Sequence, residues 1–249
     1  MKRTIEMITN FQLQQSGTFL SQGDRDSIRV FDINNIKVAI LAYSENTNGL
    51  PIPKGKEFVI NIIDEDLIKR DIIKAREENA EIVMVHLHYG TENNREPSDY
   101  QKEIVSKIIS FGADIIIGGH PHVIQPFEFF KTTNGNIDTG FVGYSIGNFI
   151  SNQRWRYSDA GIILNIKISK NILNDSIYIS EVNYLPTWVF KGQTEKGREY
   201  IILPSNININ DSTYKYLSHE NKIIMKEAFD DTKEIFTKYK ANVRVYHDD

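Results

Sequence analysis

Two short histidine pairs carry the chemistry most readily read from this sequence. The first lies in Val85-His86-Leu87-His88-Tyr89-Gly90-Thr91-Glu92 and the second in Gly118-Gly119-His120-Pro121-His122. Neutral imidazole is a good ligand for transition metals, and its ordinary proton affinity falls near neutral pH. A pair spaced i, i+2 on an extended segment points both rings to one face, which gathers ligands for an ion. Glu92, just past His88, offers a hard oxygen donor or else fixes a neighbouring arginine. The chain has no cysteine, so disulfides and thiolate zinc sites are excluded. A histidine and carboxylate set without sulfur suits manganese, iron or zinc. Two such ions about 3.5–4 Å apart can activate water and stabilise a leaving oxygen. The plainer reading is that a histidine pair on one strand is a hydrogen-bonded structural feature. His86, deeper in its strand than His88, is expected to be of that kind, and His219 and His247 to be solvated.

The elements that must position these rings can be read around them. Each pair follows a short apolar, mostly β-branched run, Ile82 to Val85 and Ile115 to Ile117. Such runs bounded by glycine predict strands buried on both faces. Between them Ser98 and Gln101 have the spacing of a capping box, Ile104, Val105, Ile108 and Ile109 recur at helical spacing, and Gly112 marks the stop. Strand, helix and strand in about forty residues make a βαβ unit with parallel strands. Both pairs then lie beyond the carboxyl ends of parallel strands, the edge where open α/β sheets bind ligands.

Upstream, the first twenty residues predict a helix carrying Ile5, Met7, Ile8 and Phe11. Ile28–Ile33 and Ile36–Tyr43 read as a hairpin turning at Asn34-Asn35. Asp64 opens a helix with Ile68, Ile72 and Ala75 on its buried stripe, so a second βαβ unit precedes the first histidine strand. After His122 the pattern is β: Val123–Phe130, Gly140–Ser145, Gly161–Ile168, Ile177–Tyr184 and Tyr200–Leu203. Met225, Phe229 and Phe236 belong to a last amphipathic helix.

Composition narrows the function classes. The formal charge is −4, with no basic stripe to neutralise phosphates, which argues against nucleic acid. No run approaches the ~20 apolar residues of a membrane span. Lys2-Arg3 resemble a signal n-region, but Glu6, Thr9, Asn10 and Gln12 interrupt any apolar core, so no export signal is expected in the chain as written. Gly143-Tyr144-Ser145-Ile146-Gly147 fits a nucleophile elbow, yet the helix that must follow is not evident, which makes a serine hydrolase at Ser145 the remote alternative. Asn148 is then the more interesting residue, as an amide that orients a ligand. The loop Ser151–Tyr157 carries Arg154 and Arg156 around Trp155, and Arg95 follows the first pair. Guanidinium groups there suit carboxylate or phosphate; the plainer reading pairs them with Glu92, Glu96 or Asp159.

Several ordered motifs resemble one family. They are His88-Tyr89-Gly90-Thr91-Glu92, Arg95-Glu96-Pro97, Gly112 through Pro126, Tyr144-Ser145-Ile146-Gly147-Asn148-Phe149-Ile150 and Pro186-Thr187-Trp188-Val189. Together they resemble the capsule-synthesis protein CapA family, the poly-γ-glutamate capsule proteins. The resemblance implies a fold related to the calcineurin-like metallophosphoesterases: an α/β, αββα sandwich with parallel βαβ units first, a β-rich second half and a C-terminal helix. It implies His88, His120 and His122 as metal ligands; the residues read for themselves add Glu92 to that set, with His88, His120 and Asn148 as catalytic candidates and Arg95, Arg154 and Arg156 as substrate-binding ones. The family's Gly-Asp and Asn-Asn-His motifs have no counterpart here, so the sandwich is expected to be incomplete at its N-terminal side and any metal weakly bound. Residues 1–204 are expected to form the capsule-synthesis domain, with 205–249 a helical tail. The implied partner is an anionic polymer, poly-γ-glutamate, together with capsule-synthesis machinery at the cell surface. The alternative is a metal-dependent hydrolase acting on a phosphorylated substrate.

Overall fold

The computed structural model describes residues 2–206, 208 and 214–246, so the expectation for His247 lies outside the described residues. An N-terminal helix α1 (Lys2–Asn10) buries none of its side chains. A short helix α2 (Gln22–Asp26) follows, and its Arg25 forms a buried ion pair with Asp71 at 2.6 Å. Strands β1 (Val30–Ile33) and β2 (Ile36–Ser44) form the expected antiparallel hairpin. Asn34 and Asn35 both take left-handed backbone, φ 52° and 64°, the conformation that a two-residue hairpin turn demands.

Helix α3 (Glu65–Glu77) starts where Asp64 accepts a hydrogen bond from the Leu67 amide at 2.7 Å. It buries Ile68, Ile72 and Ala75 and delivers the chain to β3 (Ile82–His88). Helix α4 (Asp99–Phe111) opens on the Ser98–Gln101 capping box and stops at Gly112, φ 106°. A side chain at Gly112 would also press on the Asn134 carbonyl, 2.9 Å from its Cβ. Strand β4 (Ile115–Gly119) follows, then β5 (Phe127–Lys131) and β6 (Thr139–Gly143). The expected strand from Val123 is shorter at its start, since Pro126 has no amide hydrogen for the ladder. Strands β7 (Ala160–Lys170), β8 (Ile177–Thr194) and β9 (Gly197–Pro204) form an antiparallel meander. Helix α5 (His219–Lys238) and a two-residue strand β10 (Arg244–Val245) end the described chain.

The first sheet has the order β1-β2-β3-β4-β6-β5, with β2, β3, β4 and β6 parallel and antiparallel strands at both edges. The second has the order β10-β8-β7, with β9 also on β8. Alternation along β3 divides its side chains. Val83, Val85 and Leu87 join the core under α3 and α4, while Ile82 and Met84 join the core between the two sheets. His86 and His88 continue the second row toward the strand's carboxyl end. α5 is built into the same interior. Phe236 packs 4.4 Å from Phe127 of the first sheet and 4.5 Å from Tyr184 of the second, ring centre to ring centre. Burial of side chains of that size contributes on the order of 2 kcal/mol each.

Candidate metal centre

Parallel pairing sets the rings side by side. His88 lies opposite Gly119 in the β3–β4 ladder, one residue before His120. The β4 end is shaped by close approach, because a Cβ on Gly118 would fall 1.9 Å from the Tyr144 carbonyl oxygen. Only glycine lets β4 pass Tyr144. The second histidine pair is not on an extended segment, contrary to the i, i+2 expectation. Gly118-Gly119 ends the strand, Pro121 offers no amide to a ladder, and His120 and His122 both take left-handed backbone, φ 96° and 61°. Side chains rarely accept that conformation, and it costs of order 1–3 kcal/mol where the surroundings impose it. Here the surroundings are specific. The Tyr89 amide donates to the Gly119 carbonyl at 3.0 Å, Asn93 to Pro121 at 2.8 Å, and Ile146 to Gly118 at 3.3 Å.

The turn brings the rings together by another route than the one expected. His120 Nδ1 lies 3.1 Å from His88 Nε2, so one of these nitrogens donates its proton to the other when both rings are neutral. Glu92, His120 and His122 offer ligand atoms that all lie within 4.8 Å of one another. His122 is held most firmly. The Asn148 amide nitrogen donates to the Ser158 carbonyl at 2.7 Å and to the His122 carbonyl at 3.2 Å. Its Oδ1 must therefore face His122 Nδ1, 2.9 Å away, and accept that proton. The imidazole is thereby fixed as the Nδ1–H tautomer with Nε2 left as a lone-pair donor, the arrangement that outer partners give to metal-ligating histidines.

The surroundings of His88 and His86 favour their neutral forms. Partial burial pulls His88 below the ordinary histidine range, and the neighbouring His120 and His122 pull it further, against the charge of Glu45. Burial, then His88, lowers His86 as well. Expected to be buried and hydrogen-bonded, His86 is half-buried, and no hydrogen bond reaches its ring among the described residues. His219 is exposed, as expected.

Glu45 escaped the reading of the sequence. It sits past the end of β2 in an Asn- and Gly-rich loop, where a lone carboxylate carries no pattern. Its amide donates to the His88 carbonyl at 2.8 Å and its carboxylate accepts from the Gly90 amide at 2.8 Å. Gln101 was legible only as a capping-box residue and Gln125 only as part of a family motif, although both are fully buried. Gln101 Nε2 donates to Gln125 Oε1 at 2.9 Å, and Gln125 Nε2 to the Asn94 carbonyl at 2.8 Å, which fastens the loop after β3 to the turn after β4.

The three arginines are placed as follows. Arg156 makes two hydrogen bonds to the Asp231 carboxylate of α5, at 2.8 and 2.9 Å. Arg95 donates to the Asp231 carbonyl at 2.6 Å and to Glu234 at 3.3 Å. Tyr157 lies between them, 4.3 Å from the Arg95 guanidinium and 5.1 Å from that of Arg156. Their partners are on α5, not the Glu92, Glu96 or Asp159 of the plainer expectation. Arg154 rests over Trp188 at 5.5 Å, and its buried Nη1 has no hydrogen-bond partner. Asp159 instead accepts from Trp188 Nε1 at 2.7 Å. Ser145 is fully buried, its Oγ accepting from the Gly147 amide at 3.3 Å, and no helix follows it. A nucleophile elbow requires an exposed hydroxyl, so the geometry gives no support to a serine hydrolase.

The model of the bacterial capsule synthesis protein PGA_cap family matches residues 1–153. The chain belongs to that family. Within it, the capsule biosynthesis protein CapA of Bacillus anthracis is 30% identical over 166 residues, covering 65% of this chain and 39% of that protein. The PGA biosynthesis protein CapA of Bacillus subtilis is 29% identical over 173 residues, covering 69% and 43%. The matched region is thus about two-fifths of the length of these relatives. Solved structures overlay loosely. The NAD nucleotidase NadN of Haemophilus influenzae gives a TM-score of 0.39 at 13% identity, over 95% of this chain and 43% of that one. The calcineurin-like phosphoesterase YfkN of Bacillus subtilis gives 0.31 at 13% identity, over 90% and 57%. Among the described residues no helix is long and apolar enough to cross a membrane.

Proposed function

We propose that this PGA_cap-family chain takes part in poly-γ-glutamate capsule synthesis, export or anchoring, through a divalent-metal site formed by His120, His122 and Glu92 with His88 beside it. The observation that carries the reading is the convergence of three ligand atoms within 4.8 Å, one of them on an imidazole whose tautomer Asn148 has fixed. The donor set fits a borderline ion: two imidazoles and a carboxylate without sulfur suit manganese, iron or zinc. Such an ion supplies Lewis acidity and a positive charge where an anionic polymer arrives. This chain's own residues hold the geometry. Asn148 keeps the His122 proton on Nδ1, and His88 shares a proton with His120. Glu45 and the buried Gln101–Gln125 pair fix the loops on either side.

With Arg95 and Arg156 engaged by Asp231 and Arg154 laid over Trp188, the anion-binding role falls on the metal. The test is binding of oligo-γ-glutamate with and without Mn²⁺, to wild type and to His122→Ala, at two salt concentrations. Metal-dependent binding that weakens with salt and is lost in His122→Ala is expected. Equal binding by both proteins without metal would remove the site from polymer recognition. The second reading, a metal-dependent hydrolase of a phosphorylated substrate, is favoured by the lowered proton affinity of His88. That keeps a neutral base available at pH 7, and hydrolysis lost in His88→Gln with metal still bound would support it.

A further inference from the structure

A metal site alone does not require that three large apolar side chains be exposed at this edge. Phe149, Ile150 and Trp155 expose 52%, 61% and 56% of their surface, although nearby aromatic side chains such as Trp188 are fully buried. These three belong to the candidate site by covalent and hydrogen-bonded continuity. Phe149 directly follows Asn148, whose Oδ1 holds His122 at 2.9 Å. Trp155 Nε1 donates to Asn93 Oδ1 at 3.2 Å, and Asn93 directly follows Glu92 while its amide holds the Pro121 carbonyl between the two histidines. The indole is thus tethered by its polar edge, with its ring left to solvent. The cations of the same loop are turned away, Arg156 to Asp231 and Arg154 over Trp188. A rim evolved for a bare polyanion would leave its guanidinium groups uncommitted; here Arg156 is exposed but held by Asp231, Arg154 lies over Trp188, and the aromatic rings stay open.

We infer that the ligand of this site joins an oxyanion, which meets the histidine and Glu92 group, to a flat or apolar group that packs on Trp155 and Phe149. The inference rests on the metal-site reading and adds to it the class of ligand: a phosphoryl or carboxylate compound with an aromatic or aliphatic substituent next to the charged group. Offset stacking on one or two exposed rings supplies roughly a tenfold preference over the same oxyanion carrying a methyl group.

The test compares phenylphosphonate with methylphosphonate, whose P–C bonds resist hydrolysis. Calorimetry is run on the full chain after Mn²⁺ binding has been measured without either compound. Phenylphosphonate is expected to bind about tenfold more tightly than methylphosphonate, and to change the fluorescence of Trp155, the exposed member of the two tryptophans. Trp155→Ala and Phe149→Ala are expected to reduce that preference while leaving methylphosphonate affinity and Mn²⁺ binding unchanged. Trp155→Phe, which keeps a ring and loses the bond to Asn93, is expected to retain it. Mn²⁺ binding with equal affinities for the two phosphonates would overturn the apolar subsite alone. Absence of Mn²⁺ binding would overturn the metal reading and the subsite with it.

Discussion

The two ends of the first sheet are built from similar polar material and treat it in opposite ways. At the end where β3 and β4 begin, charges are matched. The fully buried Asp114 accepts from Arg76 at 2.6 Å, from the Val83 amide at 2.7 Å and from the Asn136 amide at 3.0 Å. Glu81 accepts from Lys170 at 2.8 Å and from the Lys37 amide at 2.9 Å. At the end where the same strands finish, imidazoles face each other without a carboxylate between them, and two of them stand on left-handed backbone. Matched polar groups in ordinary backbone are what stability requires. Imidazoles held in costly backbone persist where something other than stability is served. The contrast accords with a structural amino end and with the functional role proposed for the carboxyl end.

If that division holds, the largest loss of stability comes from the amino end. Asp114→Ala strands the Arg76 charge and two backbone amides, and is expected to cost about 3–5 kcal/mol in urea unfolding. Gly118→Ala, which drives a methyl into the Tyr144 carbonyl, is expected to cost at least about 1–3 kcal/mol. At the carboxyl end the sign reverses. His120→Gly relieves a left-handed imidazole residue and is expected to be neutral or to stabilise by up to about 1 kcal/mol, while removing a ligand. A loss as large as that of Asp114→Ala would erase the distinction between the two ends.

A smaller effect appears in pH dependence. His86 and His88 lie below the ordinary histidine range when folded, mainly through burial. In the unfolded chain they titrate near ~6.5, so below that pH the unfolded state binds more protons than the folded one. Their neutral forms are therefore fully compatible with folding above ~6.5, and stability falls as pH drops through that value toward the lowered folded ones. Thermal unfolding of wild type at pH 7.5 and 5.5 should show the fall, and His88→Gln should flatten it. The smallest effect is expected at the clamp from α5. Asp231→Asn weakens the bonds to Arg156; Asp231 is buried but the Arg156 side chain is 58% exposed, and solvent screening on that side holds the pair to about 1 kcal/mol. It should loosen the loop around Trp155, read as a change in its fluorescence.

What the sequence made legible follows the range of the interactions. The capping box at Ser98, the stop at Gly112 and the asparagine turn at Asn34-Asn35 are local, and each falls where its residues place it. Parallel pairing of β3 with β4 followed from the βαβ spacing, and with it the meeting of the histidine pairs. Asn148 was legible as a neighbour because it directly follows the Gly143–Gly147 motif, although the pairing of β6 with β4 that brings it there was not. Three features were not legible. The left-handed turn at His120 and His122 is held by the amides of Tyr89, Asn93 and Ile146, from two other segments. Glu45 has no motif, only a place beside His88 that β2–β3 pairing creates. The hold of Asp231 on Arg95 and Arg156 joins positions far apart in sequence, and no local pattern announces it. The same contacts tie α5, expected as a tail, to the loops of the site.

The most direct test of the functional edge is calorimetric titration of the chain with Mn²⁺ and Zn²⁺, set beside His122→Ala and Asn148→Leu. Saturable binding is expected for wild type, weak because the donor set carries a single carboxylate. His122→Ala should abolish it, and Asn148→Leu should weaken it by about 10–100-fold by freeing the His122 tautomer. Binding of unchanged affinity in both variants would contradict the metal centre.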